Sequence, residues 1–598
     1  GILSPNTLVQ LKPFKMKFSL ALQVAALAAF QGAAAAPAAN SCYCLPGDAC
    51  WPKESAWSRF NSTVGGRLVA TVPIGSPCHD PTYDAAACAQ LQSQWTNPLT
   101  HIPSSSSVMQ TYFANQSCDP FTDRAKPCTL GNYVSYAVDV ECSSDVARAL
   151  KFAKANNLRV VVRNTGHDFL GRSTGAGALA IWTNHLKSID FVDWDDEYYT
   201  GPAVSVGAGV QGYEILEAAN AKGLSVVTGE CATVGLAGGF TQGGGHSALS
   251  TQFGLAADQT LSFHVITADG RTVTASPKVN PDLYWALSGG GGGTFGVVVG
   301  MTVRAYPAAP VGGALFQLLK PTTTPEKFAA AVDAFQDALP GMIDHGAMVV
   351  YYMNSMMLVV KPLTLWNSSA EHVRDVVLKP FTTALTGIGI NLPVAYSTLS
   401  YRDHYDRYMG PLPKGSLEVA RYQFGGRLIP RSAFSDANRP ALKAVIGNLT
   451  ANGVLAVGSA GTYKKPAGAA NNSVFPAWRD TLVQMQLITD WDSKAPWDNM
   501  LEAQRRMTEQ FMPQIEAVTP GSGSYMNEAD FRQPNWQKTF FGDNYAELLK
   551  IKNKWDPEGR LYVLKGVGSE RWSVAADGPH FLQLQRAYGY LVAHRRAT

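Results

Sequence analysis

Hydrophobic and polar positions along the chain fall into two regimes that change near residue 308. Between Tyr133 and Tyr306, short apolar runs alternate with stretches of helical period. LRVVVRN, ALAIWT, AVSVGAG, LSVVTG, FHVITADG and GVVVGMTVRAY read as strands. SSDVARALKFAKANN, with Ser143 or Ser144 as its cap, VQGYEILEAANAKG, closed by Gly223, and DLYWAL read as helices. From about Ala308 the strands lengthen: AMVVYYMNSMMLVV and TLVQMQLITDW alternate with the helices PEKFAAAVDAFQDAL and PWDNMLEAQRRMTEQF. An antiparallel sheet backed by helices accounts for that pattern and makes a second lobe. Tyr351, Tyr352, Met353, Met356, Tyr422, Phe424, Arg427, Gln484 and Gln486 fall on its strands, and alternation sends about half of them to a site and half to the core. Gly523 to Asn527 then begins a return to the first lobe, and the helix NYAELLKIKNKW stops at Asp556-Pro557, where proline forbids continuation.

The ends of the chain read differently. Met16-Lys17, the apolar FSLALQVAALAAF and the small-residue QGAAAAPAA have the order of a secretory leader, too short for a membrane span. Residues 1–15 precede that Met and read as upstream sequence, so 1–36 are set apart from the fold. Residues 37–113, rich in Cys, Pro, Ser and Gly, form an arm with one helix (ESAWSRFNSTV) and one strand (LVATVP). The expected division continues with a cofactor domain at 114–308, a substrate domain at 309–522, a returning segment at 523–572 and an atypical tail at 573–598.

Composition adds the compartment and removes some partners. A chain of 598 residues, 46% hydrophobic, buries more than one core. A net charge of +3 with 16% charged residues and no basic stripe argues against nucleic acid. Eight cysteines, Cys42, Cys44, Cys50, Cys78, Cys88, Cys118, Cys128 and Cys142, precede the first glycine-rich loop and can pair completely in an oxidising compartment. Sequons at Asn61, Asn115, Asn367, Asn448 and Asn471 agree with a secreted glycoprotein, expected to be a monomer. No Cys/His pair has zinc spacing, so no metal is expected.

The candidate chemistry lies in two loops. RNTGHDFLGRSTG, Arg163 to Gly175, leaves a buried strand as a run of small residues whose N–H groups can cradle phosphate, with His167 in its middle. GECATVGLAGGFTQGGGHSALSTQFGLAAD, Gly229 to Asp258, is the second. Neither is a Rossmann fingerprint: GGGTFG at Gly291 to Gly296 satisfies the spacing only by being nearly all glycine, and a strand follows where a helix is required. A P-loop is absent as well.

The order R-x-T-G-H-D, then G-x-C-x-T-V-G with GG-x-x-x-GGG and GLAAD, then DLYWALSGGGGGTFGVV, then Y-x-N-E with NYAELLKIKNKWDPEG, resembles the berberine bridge enzyme-like FAD-linked oxidases of the vanillyl-alcohol oxidase superfamily, from Tyr112 to Trp572. The resemblance implies an α+β fold: a PCMH-type FAD-binding domain of two small α/β subdomains, with a substrate domain whose antiparallel sheet is backed by helices. It implies a covalent bond from His167 to the flavin 8α-methyl. Some members carry a second bond from the matching cysteine to flavin carbon 6, which nominates Cys231; a buried inert thiol and exchange with the N-terminal cysteines stay open. Ala237 stands where the family has glycine, and its methyl crowds that turn. Arg163, Asn164, Thr165, Gly166, Asp168, Thr233, Val234, Gly238, Gly239, Gly243, Gly244 and Asn527 are the further cofactor-binding residues expected. The Gly289 to Gly293 run is equally suited to close packing and to flavin contact.

For the chemistry, the family nominates Tyr525 as base; at an ordinary pKa of about 10 it needs a nearby cation or hydrogen bond to hold the phenolate, and Arg427 and Lys565 are the cations at hand. Asn527 reads as a flavin hydrogen-bonder, and His246 as a residue of the ring or substrate site or a structural histidine. Val234 matches a position where valine leaves oxygen room beside the flavin. The expected function is a secreted oxidase that takes hydride from an alcohol or related activated carbon and passes electrons to O2, giving H2O2. A dehydrogenase or cyclising oxidase of a specialised metabolite is the rival within the class, and a glycoprotein with a vestigial flavin site the rival outside it.

Overall fold

The structure, a computed structural model, describes residues 42–574 and 593–595. The expected upstream residues and secretory leader at 1–36 lie outside the described residues, as does most of the tail expected at 573–598, of which Ala593–Arg595 pairs antiparallel with Trp572–Val574.

The first lobe holds two sheets. One has four strands in the order Leu68–Ala70, Tyr136–Asp139, Leu179–Trp182, Val160–Arg163, parallel except for the first pair. The helix Ser143–Ala155 makes the crossover and buries Val146, Ala149, Leu150 and Ala153, one face at helical spacing. Its N-cap is Cys142, in extended conformation, so Ser143 is the first helical residue and neither serine caps the helix. The other sheet is antiparallel, in the order Ile189–Asp195, Thr200–Gly207, Val297–Arg304, Thr260–Ile266, Thr272–Ala275. LSVVTG is a strand only at Leu224–Ser225, which pairs with Tyr306–Pro307; the following residues leave as a connection to the second glycine-rich loop.

The second lobe is one antiparallel sheet of seven strands, in the order Val394–Leu399, Val311–Leu319, Met357–Trp366, Met348–Met353, Leu455–Ala460, Thr481–Asp490, Tyr422–Pro430. AMVVYYMNSMMLVV is therefore a hairpin and not one strand. Asn354 Oδ1 accepts from the N–H groups of Met356 and Met357 at 2.9 and 3.0 Å, an Asx turn that reverses the chain between two apolar runs. The helices Pro325–Asp344, Lys379–Gly387 and Arg439–Ala451 cover one face of the sheet around Phe316, Phe335, Tyr351, Phe381 and Met485. The other face is turned toward the first lobe, where Leu428, Trp478 and Tyr525 pack with Leu255 and Ala257.

Two buried ion pairs hold the arrangement. Asp258, fully buried, takes two hydrogen bonds of 2.8 Å from Arg479, one of 2.7 Å from Asn472 and one of 2.9 Å from Leu255 N, joining the second glycine-rich loop to the substrate lobe. Lys552 Nζ donates to Thr294 O at 2.6 Å, Leu561 O at 2.8 Å and Asp556 Oδ2 at 2.5 Å, pinning the returning helix Tyr545–Trp555 beneath the Gly289 to Gly293 run.

The arm touches both lobes. Phe60 stacks on Phe152 at 4.1 Å and Trp57 on Tyr136 at 4.0 Å, while Val419 N donates to Thr96 O and Ala420 N to Met109 O. Six cysteines form the bridges Cys44–Cys50 and Cys78–Cys88 within the arm and Cys118–Cys128 just beyond it. Complete pairing of the eight is not realised: Cys142 is outside these bridges, at the exposed helix N-terminus, with its thiol 3.1 Å from Ser144 Oγ. Of the sequons, Asn367, Asn448 and Asn471 are exposed, and Asn61 and Asn115 half-buried.

Candidate active site

The strand Val160–Arg163 ends at the inner edge of its sheet and releases the first loop into an open cleft between the lobes. Gly166 takes φ +87°, a left-handed turn; a Cβ there would lie 2.6 Å from the buried Arg163 guanidinium. That turn aims His167 into the cleft. The carboxylate of Asp168 accepts from the N–H groups of Leu170, Arg172 and Ser173, so its oxygens shape the loop. Arg172, half-buried, donates to the carbonyls of Met526, Leu564 and Lys565 and fixes the loop on the returning segment.

The second loop meets the first at Thr233. His167 Nε2 lies 2.8 Å from Thr233 Oγ1, and Cys231 Sγ 3.6 Å from the same oxygen. Two residues 64 positions apart in sequence are thereby brought to one hydroxyl at the cleft wall. Burial, helped by His101 and Arg163, lowers the His167 pKa to about 3, so the imidazole keeps a free lone pair at neutral pH. Burial pushes the Cys231 thiol up, so it stays protonated until something activates it.

Of the other expected cofactor residues, Asn164, Thr165, Gly166, Asp168, Val234, Gly238, Gly239 and Asn527 line the cleft together with Ala237. Arg163, Thr233, Gly243 and Gly244 stand behind its wall. Arg163 donates to Ser104 O of the arm, and Gly243 leaves room for Asn527, whose amide a Cβ there would meet at 2.5 Å. The long glycine run both packs closely and lines the cleft. Gly292 packs on Gly239, 3.1 Å from where its Cβ would be to the neighbouring Cα, while Gly292, Gly293 and Gly296 face the cleft. Asn164 Oδ1 and two nitrogens of Arg163 are buried with no hydrogen-bond partner in the protein. A long cleft floored by glycine, with orphaned polar atoms beside it and His167 and Cys231 on its wall, fits a dinucleotide carrying a planar ring.

Tyr525 is buried, and its hydroxyl accepts from Asn527 Nδ2 at 2.8 Å. The cations proposed to hold its phenolate lie elsewhere: Arg427 donates to Thr519 Oγ1 and O, and Lys565 to Gln533 O. Burial and the neighbouring Glu528 carboxylate push the Tyr525 pKa well above that of an ordinary phenol, so the hydroxyl is neutral in this setting. On the substrate sheet Tyr422, Phe424 and Gln486 face the cleft; Tyr351 and Met353 belong to the helix-backed core and Met356 is exposed on its turn.

Sequence reasoning gave no role to Glu230, Glu528 and Phe169. His246 Nε2 is 3.0 Å from each carboxylate oxygen of Glu528, and Gln486 Nε2 donates to Glu528 Oε2 at 2.6 Å. Glu230 Oε1 lies 3.6 Å from His246 Nδ1. Burial works against charge on this imidazole, but the carboxylates of Glu528 and Glu230 prevail and raise its pKa to about 10. The signal was available: Glu230 is the one charged residue between Gly229 and Cys231, and Glu528 closes the Y-x-N-E motif. Phe169 stacks face to face on Phe424, centroids 3.7 Å apart and planes within 2°, and with Leu417, Val419, Tyr422 and Ile488 makes an apolar wall. Among the described residues no group of His, Cys, Asp and Glu side chains could hold a metal ion, and no helix is long and apolar enough to cross a membrane.

Comparison with known proteins agrees with this geometry. Residues 134–276 match the FAD binding domain family, and residues 524–567 the berberine and berberine like family. The FAD-linked oxidoreductase ZEB1 of Gibberella zeae is 54% identical, over 90% of this chain and 94% of its own. The VAO-type flavoprotein oxidase VAO615 of Thermothelomyces thermophilus is 43% identical, over 90% of this chain and 95% of its own. The crystal structure of the VAO-type flavoprotein MtVAO615 from Myceliophthora thermophila superposes with a TM-score of 0.85, at 42% identity, covering 90% of this chain and 99% of that one.

Proposed function

Since this chain belongs to the berberine bridge enzyme-like FAD-linked oxidoreductases of the vanillyl-alcohol oxidase type, we propose that it is a secreted oxidase that converts an alcohol to a carbonyl and reduces O2 to H2O2, with its FAD tethered to His167 and Cys231. Bound FAD accepts a hydride at its ring and passes two electrons onward. The chain itself contributes attachment, orientation and proton handling.

The observation that carries the proposal is the meeting of His167 and Cys231 at Thr233 Oγ1, at 2.8 and 3.6 Å, on the wall of one cleft. A ligand with two reactive positions on one rigid ring would use both, and the glycine floor leaves the remaining length for a diphosphate. Arg163 steadies the loop from behind, Asn164 ties it to Ala208 O, and Asn527, bonded to Gly239 O at 2.6 Å, ties the returning segment to the floor. The small side chain of Val234 on the cleft wall supports access of O2, and the relative named a flavoprotein oxidase supports the same outcome. The three N-terminal bridges support secretion. Beyond the ring, the wall of Phe169, Phe424, Tyr422, Leu417, Val419 and Ile488 suits a substrate whose carbinol is carried on a flat apolar body.

The test is peroxide release in air by FAD-loaded protein offered aromatic alcohols, polyketide alcohols, oligosaccharides and alkaloids. Turnover with peroxide stoichiometric with the carbonyl product is expected from the aromatic or polyketide set. Turnover only with an artificial electron acceptor would make the enzyme a dehydrogenase.

A further inference from the structure

At the inner end of the cleft two buried polar atoms face each other without a hydrogen bond. His246 Nδ1 and Glu230 Oε1 are 3.6 Å apart, too far to bond directly, and neither has another hydrogen-bond partner in the protein. The His246 side chain is 92% buried and that of Glu230 86%, so both atoms lack water's usual compensation, yet both residues line the cleft. The rest of the cluster is complete. His246 Nε2 donates to Glu528, which also accepts from Gln486, and Tyr525 is bonded to Asn527. Trp478 and Tyr525 pack against the imidazole at centroid distances of 6.3 and 5.6 Å and hold its ring in place.

We propose that Glu230 and His246 form the substrate hydroxyl subsite, with Glu230 the general base. This rests on the alcohol-oxidising reading above. A hydroxyl that bridges the two atoms from the cleft side, off the line joining them, satisfies both at once: it accepts from His246 Nδ1–H and donates to Glu230 Oε1. The hydroxyl O–H bond breaks and its proton passes to Glu230; the carbinol C–H bond breaks and its electron pair leaves as hydride to FAD; the pair freed from O–H completes the carbonyl. His246, cationic between Glu230 and Glu528, lowers the cost of the developing alkoxide. Glu528, with both oxygens engaged, is a positioning residue. The neutral Tyr525 hydroxyl, held as a hydrogen-bond acceptor by Asn527, is left to pack beside the reacting carbon.

The subsite is tested without turnover by comparing binding of 2-phenyl-2-propanol, which has no carbinol hydrogen to lose, with that of cumene, the same body without hydroxyl, by calorimetry on the holoenzyme. The alcohol is expected to bind at least tenfold tighter. That preference should collapse to within about twofold in Glu230→Leu and fall in His246→Gln. No preference in the wild type, or a preference untouched by Glu230→Leu, overturns the subsite whether or not peroxide is made. The base is tested by anaerobic flavin reduction with whichever alcohol gives most peroxide. Glu230→Gln is expected to slow reduction about 100-fold or more, and Glu230→Asp to recover part of it. A larger loss in Tyr525→Phe than in Glu230→Gln, or equal losses in Gln and Asp, overturns the assignment. A preserved binding preference with no reduction by any alcohol would instead leave the subsite standing and refute the oxidase reading.

Discussion

Replacing Asp258 by alanine removes the clamp between the second glycine-rich loop and the substrate lobe. Its carboxylate is fully buried and accepts four hydrogen bonds, two of them from Arg479, whose side chain is 24% exposed. Breaking a buried pair by deleting one partner costs about 3–5 kcal/mol, and the partial exposure of Arg479 places this case near the low end, about 3 kcal/mol. Unfolding entropy near 60 °C is about 2.1 cal/mol/K per residue. If the described chain melts as one unit, that is roughly 1.1 kcal/mol/K and the shift in Tm is about 3 °C; if the lobes melt separately, the shift roughly doubles for the lobe that carries the loop. Differential scanning calorimetry at fixed scan rate on FAD-loaded wild type and Asp258→Ala distinguishes the two. Because Asp258 shares its loop with Cys231 and His246, the variant should also show faster loss of flavin fluorescence quenching on heating. A Tm within 1 °C of wild type would refute the claim that this pair couples the lobes.

Stability should peak near neutral pH and fall on both sides. His101 and His404 are buried with pKa values lowered to about 4 and about 3 by burial, so the stability each contributes is present above about 6.5 and lost as pH drops toward those values, at most about 1.4 kcal/mol per pH unit per group. His246, raised to about 10, contributes below about 6.5 and loses it as pH climbs toward 10, so His246→Gln should flatten only the alkaline limb of a Tm profile; an unchanged alkaline limb contradicts the ion cluster. Phe424→Ala, which removes the ring stacked on Phe169, should raise KM for aromatic alcohols about tenfold with little change in kcat, since stacking and burial of one such face are worth about 1–2 kcal/mol; an unchanged KM would remove the stack from the substrate wall.

The fold was legible where local pattern and tertiary burial agree. The crossover helix at Ser143–Ala155 and the strands beside it are short, strongly periodic and buried on the expected faces. It was less legible where a turn is made by a side chain: the Asx turn at Asn354 carries no glycine or proline, so two strands read as one. Capping was misplaced because a cysteine with extended backbone occupies the position before two serines. In the site, His167, Cys231 and the glycine floor stand in contiguous motifs and could be named from the family resemblance those motifs carry. The Glu230–His246–Glu528 cluster could not be assembled that way, because Glu528 is 282 residues from His246 and only the return of the chain after the substrate lobe joins them. The face of the substrate sheet was undetermined for the same reason: alternation gives two faces, and which one meets the cleft depends on packing of helices far along the chain.

The tether is the centre of the account, and peptide mass mapping of the holoenzyme tests it directly. Protease digestion under denaturing conditions should yield the His167 peptide carrying the mass of FAD and joined through it to the Cys231 peptide, with Cys231→Ser leaving the His167 attachment alone. FAD-loaded protein whose His167 peptide appears only at its unmodified mass would contradict it.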